Sequence, residues 1–456
     1  MKIFNTLSGK KEIFEPIEDN KIRMYVCGMT VYDDTHIGHA RTFLSFDLIV
    51  RYLRSIDYEV QYIRNITDVD DKIIARSEEL NISPSELTKD CINSMHKDFK
   101  ALGMISPDAE PRATENIDSI ISLITKLIDK GHAYVSESDV YFSTESFEEY
   151  GKLSKRKLED MLSGARIDID LDKKNPADFV LWKKDTEGLK WDSPWGPGRP
   201  GWHIECSAMS MDALGETFDI HGGGSDLKFP HHENEIAQSE CVTGKEFAKV
   251  WMHTGSLRID EQKMSKSLKN FITIKEALNE SSSEVLRFFL ISSHYRSPLN
   301  YSDEGLKEAK NSLDRLYNSL QDLSYETDEH VPSEYSEKFH DAMQDDFNSP
   351  SAISVLFEMV KQINILKKED QLTLANTLAS ELISLSNILG ILLDNPKEYF
   401  TSGIDLSNQD IEEVIERRNK ARKEKDFELS DKIRDDLLEK GIILEDKGTK
   451  TIWKKS

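Results

Sequence analysis

The segment between residues 22 and 64 constrains the fold more than any other part of the chain. Residues 22–27 (IRMYVC) form a short apolar run that gives way to Gly28, a turn-like stretch, and a helical pattern from about Ile37 to Ile56. A second strand-like run follows from Tyr58 to Arg64. Strand, helix and strand in this order form a βαβ unit, from which parallel sheets are built. The sequence therefore predicts an α/β fold with an open, doubly wound parallel sheet.

Length and charge limit the classes of protein to which the chain can belong. Its 456 residues suffice for about three domains, and its four cysteines are too few for a disulfide framework. The net charge of −24 repels polyanions and membrane surfaces, so any contact with nucleic acid must be local. No apolar run approaches the roughly 18 residues of a membrane span, and the start of the chain lacks the apolar core of a signal peptide. We expect a cytoplasmic protein that does not bind membranes.

Two stretches continue the α/β part of the chain. Residues 115–200 have a mixed pattern with a hairpin candidate around Ala133 to Phe142, which indicates an insertion, and the prolines and glycines of its end, SPWGPGRPG, predict an irregular loop. In residues 201–260, FDIHGGG predicts a strand that ends in a glycine turn, HHENEIAQSE a helix, and VWMHTGSLRI a further strand. The second half of the same sheet is expected there.

The C-terminal part of the chain has a different character. Residues 303–395 lack strand signals and repeat apolar residues with the helical period, which predicts a helical bundle. Residues 417–456 hold thirteen Lys or Arg against nine Asp or Glu, a local positive excess in an acidic chain. A small basic domain is therefore expected at the end.

A candidate anion site follows the first strand. His36 and His39 flank Gly38 where the helix begins. Backbone N–H groups at a helix N-terminus, together with two imidazoles, can stabilise a phosphate, and Gly38 permits close approach. The alternative is a capped helix that carries two surface histidines, and the four residues alone do not decide between them.

A second candidate anion site is the sequence KMSKS at 263–267. Lys263 and Lys266 can approach a polyphosphate, and the two serines can donate hydrogen bonds. Taken alone, the segment equally suits a solvated basic loop. Because both phosphate-binding candidates follow predicted strands in opposite halves of one sheet, they are expected to converge on the crevice where such sheets bind ligands.

Four residues form a candidate zinc site, namely Cys27, Cys206, His231 and Glu235. Thiolate, imidazole and carboxylate are zinc ligands, and the last two residues are four apart on one face of the predicted helix. The spacing is not that of a zinc finger, so each cysteine can equally be a buried apolar thiol, and His203 and His232 are rival ligands. Cys91 and Cys241 are expected to be packing residues.

A candidate nucleotide contact is HGGGSD at 221–226. Gly222 lies at a strand end where backbone can approach a nucleotide, and Asp226 offers a carboxylate to ribose hydroxyls. A glycine turn capped by Ser225 or Asp226 ahead of the next helix would give the same pattern.

With HIGH at 36–39 and KMSKS at 263–267 in this order, the chain resembles the class I aminoacyl-tRNA synthetases, and specifically the cysteinyl-tRNA synthetase family. The likeness is carried by CGMTVYDDTHIGHAR, RNITDVDDKI, GWHIECSAMS, FDIHGGGSDLKFPHHENEIAQSE and KMSKSLKNF, and it continues through DDFNSP to ARKEKDFELSDKIRDDL. The resemblance implies a Rossmann-type catalytic domain in two halves (1–114 and 201–260), a connective insertion (115–200), the KMSKS loop and stem-contact region (261–302), a tRNA-binding helical bundle (303–400) and a small anticodon-binding domain (401–456).

The resemblance also implies roles for individual residues. It implies that one Zn²⁺ per chain is bound by Cys27, Cys206, His231 and Glu235. It implies that Gly28, Thr67 and Trp202 surround the cysteine substrate. It implies that ATP contacts His36, Gly38, His39, Gly222, Asp226 and Lys266, with Lys263 also catalytic.

The implied reaction has two steps. The carboxylate of L-cysteine attacks the α-phosphorus of ATP, which Mg²⁺ accompanies, and a terminal ribose hydroxyl of tRNA(Cys) then takes the cysteinyl group from the adenylate. A carboxylate is already ionised at neutral pH, so catalysis reduces to positioning and charge stabilisation. Zinc would select a thiolate over the hydroxyl of serine, which shape alone rejects poorly, so we expect no editing domain.

Recognition of RNA by an acidic chain is expected to use local basic surface. The candidates are Arg417, Arg418, Lys420, Arg422 and Lys423, with Trp453 as a residue that can stack on an unpaired base. The alternatives are a solvated helix face and a packed chain end. We expect a monomer.

Two other functions share parts of these motifs. A cysteine:glucosaminyl-inositol ligase would have the adenylation core and the zinc site, but it would have no use for residues 405–456. A non-catalytic RNA-binding paralogue would need neither polyphosphate motif. Both motifs and the C-terminal residues therefore favour the synthetase.

Overall fold

The structure, a computed structural model, describes residues 1–137, 139–156, 172–185, 188–263, 270–325, 333–401, 408–439, 442–447 and 450–455. Its strands in chain order are β1 (Lys2–Asn5), β2 (Lys10–Ile13), β3 (Lys21–Val26), β4 (Glu59–Arg64), β5 (Ala133–Val135), β6 (Asp139–Phe142), β7 (Phe179–Lys184), β8 (Gly198–Pro200), β9 (Phe218–Gly224), β10 (Ala248–Thr254), β11 (Leu257–Ile259), β12 (Gln262–Lys263), β13 (Leu299–Tyr301), β14 (Ile442–Lys447) and β15 (Lys450–Lys455).

The helices are α1 (Ile37–Ser55), α2 (Asp71–Leu80), α3 (Pro84–Ala101), α4 (Ile117–Asp129), α5 (Trp202–Leu214), α6 (Glu233–Thr243), α7 (Ile274–Glu280), α8 (Ser283–Ile291), α9 (Asp303–Leu320), α10 (Glu334–Gln344), α11 (Ser349–Lys368), α12 (Leu372–Ile388), α13 (Pro396–Thr401), α14 (Asn408–Lys423) and α15 (Phe427–Glu439). None of the helices in the described part of the chain is both long and apolar enough to cross a membrane.

The parallel sheet has four strands in the order β4-β3-β9-β10. From β3 the chain passes through α1 to β4, which is the neighbour of β3 toward one edge of the sheet. From β9 it passes through α6 to β10, which is the neighbour of β9 toward the other edge. The strand order therefore reverses between β3 and β9, and sheets of this kind bind ligands at the carboxyl ends of the strands beside such a reversal. The predicted α/β fold with a parallel sheet is confirmed.

Helix α1 is held against α8 by two of its buried charged side chains. Arg41 donates to the backbone carbonyls of Leu290 and His294 at the end of α8 and just beyond it. Asp47, also buried, pairs with the buried guanidinium of Arg287 on α8. Because these buried charges are paired with each other or hydrogen-bonded to backbone carbonyls, the contacts fix α1 to α8.

The insertion contains α4 and a four-stranded antiparallel sheet in the order β5-β6-β7-β8. The hairpin predicted around Ala133 to Phe142 is confirmed as β5 and β6. The irregular loop predicted at 193–201 is partly wrong, since Gly198–Pro200 form β8. Proline is accepted there because β8 is an edge strand, where one row of backbone N–H groups has no ladder partner.

One predicted strand is two strands in different sheets. Residues 248–254 form β10 of the parallel sheet, whereas 257–259 form β11, which pairs with β12 and β13. The strand is interrupted at Gly255, whose N–H donates to the carbonyl of Tyr295 at 2.8 Å. A Cβ at Gly255 would lie 2.2 Å from the carbonyl oxygen of Ser297, so only glycine fits this crossing.

The described chain divides into two compact units. The first comprises Met1–Asn311, Pro332–Leu356 and Ile388–Ile391, and it contains the parallel sheet and the insertion. The second comprises Ser312–Val331, Phe357–Asn387 and Leu392–Ser456. It is helical except for the hairpin β14–β15, which packs on α14 and α15 through Ile411, Ile415, Ile433, Leu437 and Ile442. The helical C-terminal region predicted from the apolar period is confirmed.

Candidate functional site

The carboxyl ends of β3, β4 and β9 meet at Gly28. Cys27 directly follows β3, and its N–H donates to the carbonyl of Gly222 on β9 at 2.9 Å. The N–H of Gly28 donates to Oδ1 of Asn65, just past β4, at 2.7 Å. A Cβ at Gly28 would lie 1.7 Å from the carbonyl oxygen of Asn65, so this approach of two strand ends requires glycine.

Cys27, Cys206, His231 and Glu235 come together beside this point. One ligand atom from each lies within 4.8 Å of all the others, and all four residues are buried. Oε1 of Glu235 is 3.3 Å from Sγ of Cys27 and 3.1 Å from Nε2 of His231. Two thiols, an imidazole and a carboxylate converge from the end of β3, from α5, from the turn before α6 and from α6 itself, and they form a donor set that suits tetrahedral zinc. The residues present therefore fit the metal that the resemblance implies.

The four groups carry compensating charges. Against the opposing effect of burial, the charges of His221 and His231 hold the pKa of Glu235 well below its usual range. Burial likewise opposes charge on His231, yet the carboxylate of Glu235 raises the pKa of His231 to about 10. Burial would raise the pKa of Cys206, but the hydrogen bond from Cys27 lowers it to about 6. Burial raises the pKa of Cys27 well above that of a free thiol. A bound cation would replace the protons on His231 and Cys27.

The rival ligand His203 and a further histidine, His221, contact the proposed ligands. Nδ1 of His203 is 2.9 Å from Nδ1 of His231, which leaves Nε2 of His231 directed at Glu235. Nε2 of His221 is 2.8 Å from the second carboxylate oxygen of Glu235, a contact that fixes the carboxylate from behind.

His232 makes a second donor set possible. Cys27, His221, His232 and Glu235 also lie within 4.8 Å of one another, and Nε2 of His232 is buried without a hydrogen-bond partner in the described chain. The two sets share Cys27 and Glu235, so one ion can use only one of them. The first set contains both thiols, the softer donors, which favours it for zinc.

The HIGH sequence forms the start of α1. His36 is the N-cap, and its Nδ1 accepts hydrogen bonds from the N–H groups of Gly38 (3.1 Å) and His39 (3.3 Å). The two imidazoles stack with ring centroids 3.6 Å apart, and burial together with His36 lowers the pKa of His39 well below its usual value. The backbone N–H groups of Gly38 and His39 are therefore used to cap the helix, as the capped-helix alternative predicts. The groups that the motif can offer to a phosphate are the two imidazoles.

The segment after KMSKS lies against the start of α1. The N–H of Ile37 donates to the carbonyl of Ile272 (3.1 Å), and the N–H of Ile274 donates to that of Thr35 (2.9 Å). Lys263 ends β12, whereas Lys266 and the rest of 264–269 lie outside the described residues. The structure thus brings residues 272–274, which follow the KMSKS sequence along the chain, to the start of α1, and the approach of the lysines themselves stays a prediction.

The glycines of HGGGSD serve close packing. A Cβ at Gly222 would lie 2.3 Å from the ring of Phe46 on α1, and a Cβ at Gly223 would lie 2.9 Å from the ring of His232. Asp226 is exposed beyond the strand end. Gly222 and Gly223 are thus explained by side chains packed against β9, and Asp226 is accessible beyond the strand end.

Thr67 and Trp202 flank the cluster. The ring of Trp202, 38% exposed, packs on His231 with centroids 4.4 Å apart. The hydroxyl of the buried Thr67 donates to Oε2 of Glu205 at 3.0 Å. Sequence reasoning missed Glu205 and the contact of His221 with Glu235. The only available signal for Glu205 was a carboxylate next to a candidate ligand.

The second unit contains the residues predicted to bind RNA. Arg417, Lys420, Arg422 and Lys423 are exposed, but Arg418 is buried and donates to Asp446 at 3.0 Å. Trp453 packs against the apolar cluster of the hairpin, and its indole N–H donates to Glu412 at 3.3 Å, so the packed-end alternative holds for this residue.

A groove on α9 and α11 adds a basic surface that the sequence did not indicate. It has a volume of about 510 Å³, and its lining includes Arg315, Lys361 and Lys368 but no acidic residue. None of these three cations takes part in an ion pair among the described residues.

Comparison with known proteins identifies the relatives of this chain. Residues 13–311 match the family described as tRNA synthetases class I (C) catalytic domain, and residues 338–394 match the DALR domain. The cysteine–tRNA ligase of Hahella chejuensis is 54% identical over all of both chains, and that of Marinobacter nauticus is 52% identical over all of both. Methionyl-tRNA synthetase of Mycobacterium tuberculosis in complex with methionyl-adenylate shares the fold, with a TM-score of 0.61 at 13% identity over 81% of this chain and 89% of that one.

Proposed function

The chain belongs to the cysteine–tRNA ligase family of class I aminoacyl-tRNA synthetases, whose activity is the ATP-dependent ligation of cysteine to tRNA, and from this premise we propose how its residues perform that activity. The observation that carries the proposal is the buried convergence of two thiols, an imidazole and a carboxylate at the strand-order reversal. A site of this kind suits recognition of a substrate thiol beside an adenylating centre.

Cys27, Cys206, His231 and Glu235 are proposed to hold one Zn²⁺ per chain. When bound, zinc supplies a preference for a thiolate over a hydroxyl. His203 and His221 keep the ligands in orientation, since each contacts a ligand from the side away from its partners. Gly28, Thr67 and Trp202 are proposed to surround the cysteine side chain, a role supported by the contact of Trp202 with His231 and by the link from Gly28 to Thr67 through Asn65.

Adenylation is proposed to occur at the start of α1. The cysteine carboxylate attacks the α-phosphorus of ATP, and Mg²⁺ accompanies the leaving pyrophosphate. His36 and His39 donate to the phosphates from their imidazoles, Lys263 and Lys266 neutralise polyphosphate charge, and Asp226 accepts from ribose hydroxyls. Gly38 and Gly222 complete the nucleotide contacts. Neutral His39 suits donation of a hydrogen bond without holding the product anion too tightly.

Transfer requires the tRNA to bind the C-terminal residues of the chain while its terminal ribose reaches the catalytic domain. We assign the two halves of the catalytic domain to 1–114 and 201–260, the connective insertion to 115–200, and the KMSKS loop with the stem-contact region to 261–302. The bundle (303–400) and the C-terminal residues (401–456) are proposed to bind tRNA(Cys). The exposed Arg417, Lys420, Arg422 and Lys423 support this assignment, and a monomer is the expected state.

The test is charging of unfractionated tRNA with labelled cysteine and, in parallel, labelled serine, using purified protein with ATP and Mg²⁺. Charging with cysteine alone is expected, and hydrolysis of separately prepared Ser-tRNA is not expected. If cysteine supports pyrophosphate exchange but no tRNA is charged, the adenylating core stands and the acceptor is another amine or hydroxyl, as in a cysteine:glucosaminyl-inositol ligase. Binding of tRNA without pyrophosphate exchange would instead indicate a non-catalytic RNA-binding protein.

A further inference from the structure

Glu233 lies between two proposed metal ligands in the sequence, but its side chain contacts a loop of the insertion instead of the metal site. It is fully buried on the turn that carries His231 and Glu235. Its Oε1 accepts the backbone N–H groups of Gly151 (3.0 Å) and Leu153 (3.2 Å), and its Oε2 accepts that of Ser154 (2.7 Å). A buried carboxylate is costly unless its oxygens are satisfied, and here three N–H groups of one loop satisfy them.

Residues 149–156, which we name the clamp loop, are attached to the ligand-bearing segment at further points. The hydroxyl of Tyr150 donates to Oδ1 of Asn234, and Nζ of Lys152 pairs with Glu240 on α6. The guanidinium of Arg156 lies over the ring of Phe229, 4.6 Å from its centroid. The clamp loop is therefore bound along α6 and the turn before it.

The clamp loop also reaches the core around the thiols. Leu153 is fully buried and belongs to the same hydrophobic cluster as Cys27 and Cys206. Its backbone N–H is one of the three that Glu233 accepts. Loss of the Glu233 contacts would therefore release a side chain that packs in the core of both ligand cysteines.

We propose that Glu233 is a positioning residue for the metal site, an inference that rests on the proposed zinc ligands. On a helix, a residue two positions from His231 and from Glu235 projects about 200° away from them, so the ligands and Glu233 use opposite faces of one turn. One face presents His231 and Glu235 to the thiols, and the other is fixed by the clamp loop. Glu233 thus sets how firmly the ligand turn is held against Cys27 and Cys206.

The experiment follows zinc release from the full-length zinc-loaded protein to a chelating dye. In Glu233→Gln one N–H of the clamp loop meets an amide NH₂ in place of an acceptor. Zinc release is expected to be faster by on the order of ten-fold, which is the size of effect seen when groups that orient metal ligands are removed. The matched control is Lys152→Met, which removes the ion pair between the same loop and Glu240 but leaves the contacts of Glu233 in place. It is expected to release zinc within about two-fold of the unmodified protein. Melting of the metal-free proteins is measured in parallel, because a purely structural role would lower the melting temperature without changing the release rate.

Each outcome decides the inference. Equal release rates for Glu233→Gln and the unmodified protein would overturn it, as would equal acceleration by Lys152→Met. If Glu233→Gln does not fold, Leu153→Ala takes its place, with faster release supporting the inference and unchanged release rejecting it. An unmodified protein that binds no zinc would remove the proposed metal site and this inference together, whereas zinc retention with no effect of Glu233 removes the inference alone.

Discussion

Cys206 and Cys241 lie on neighbouring helices, and their surroundings give the two thiols opposite properties. Although burial opposes it, the hydrogen bond from Cys27 lowers the pKa of Cys206 to about 6. Burial raises the pKa of Cys241 to about 12. The lowered pKa suits Cys206 as a metal ligand, which must be a thiolate, and the raised pKa suits Cys241 as a packing residue.

Replacement of these two cysteines separates ligation from packing. Cys206→Ser exchanges a thiolate for a neutral hydroxyl, so we expect the purified protein to lose its zinc, with at least a ten-fold fall in cysteine-dependent pyrophosphate exchange. Cys241→Ser is the matched control and should retain one zinc per chain. Metal analysis of both proteins makes the measurement, and equal zinc in the two would reject the ligand set.

The residues of the site were predictable in type but not in arrangement. The resemblance supplied the four ligands, and the structure brings them together. The sequence did not reveal why Gly28 is glycine, because the clash that excludes a Cβ comes from the carbonyl oxygen of Asn65, a contact between two strand ends. Nor did it reveal the contact of His221 with Glu235, since that contact depends on β9 lying beside β3.

At the scale of elements, helix α1 joins the two proposed ATP-binding segments. Its N-cap is His36, and residues 35–37 exchange backbone hydrogen bonds with residues 272–274, which follow the KMSKS loop. Further along the helix, Arg41 and Asp47 contact α8 and the turn after it. A change at the start of α1 therefore affects both stability and the proposed phosphate contact.

Two substitutions of His36 distinguish its capping role from its imidazole chemistry. His36→Ala removes the acceptor for two N–H groups and should cost about 1 kcal/mol of unfolding free energy. His36→Asn supplies another good N-cap and should retain near-normal stability. Both should lower kcat of pyrophosphate exchange by about a hundred-fold, because neither keeps an imidazole at the phosphates. Stability is measured by denaturant unfolding, and activity by the kinetics of pyrophosphate exchange. Normal exchange in His36→Asn would show that His36 acts only as a helix cap.

Element boundaries were predictable where local pattern decides them. Helix α1, β3 and β4 begin and end within about two residues of their predicted bounds because apolar period and turn residues specify them. The break between β10 and β11 escaped prediction because it is imposed by the carbonyl of Ser297. The hairpin β1–β2 was missed, since Asn5 fixes it to the distant β10 through the backbone of Lys249 and Trp251.

At the scale of the whole molecule, a net charge of −24 leaves few places where RNA phosphates can bind favourably. We expect the groove on α9 and α11 to be one of them, because its lining holds three cations and no acid. Lys361 and Lys368 are seven residues apart on one helix, or about 10.5 Å along its axis, so both can contact one RNA backbone.

Charge reversal in the groove tests this contact. Lys361→Glu with Lys368→Glu should raise KM for tRNA about ten-fold and make the salt dependence of tRNA binding shallower by about two, one for each lysine. Cysteine-dependent pyrophosphate exchange without tRNA should not change. The matched control is Lys245→Glu with Lys249→Glu, which alters net charge equally at the amino end of β10, away from the ligand-bearing edge. If both double variants weaken tRNA binding equally, the effect comes from net charge and not from contact of tRNA with the groove.

The placement of β9 beside β3 makes the metal site a late product of folding. Cys27 and Glu235 are 208 residues apart in sequence, and contacts of such separation pay a large loop-closure entropy before they gain any packing energy. During synthesis, a chain that ends before residue 235 has both thiols of the proposed donor set but lacks its carboxylate. Metal uptake at the proposed site would therefore mark the moment at which the second half of the sheet has docked on the first.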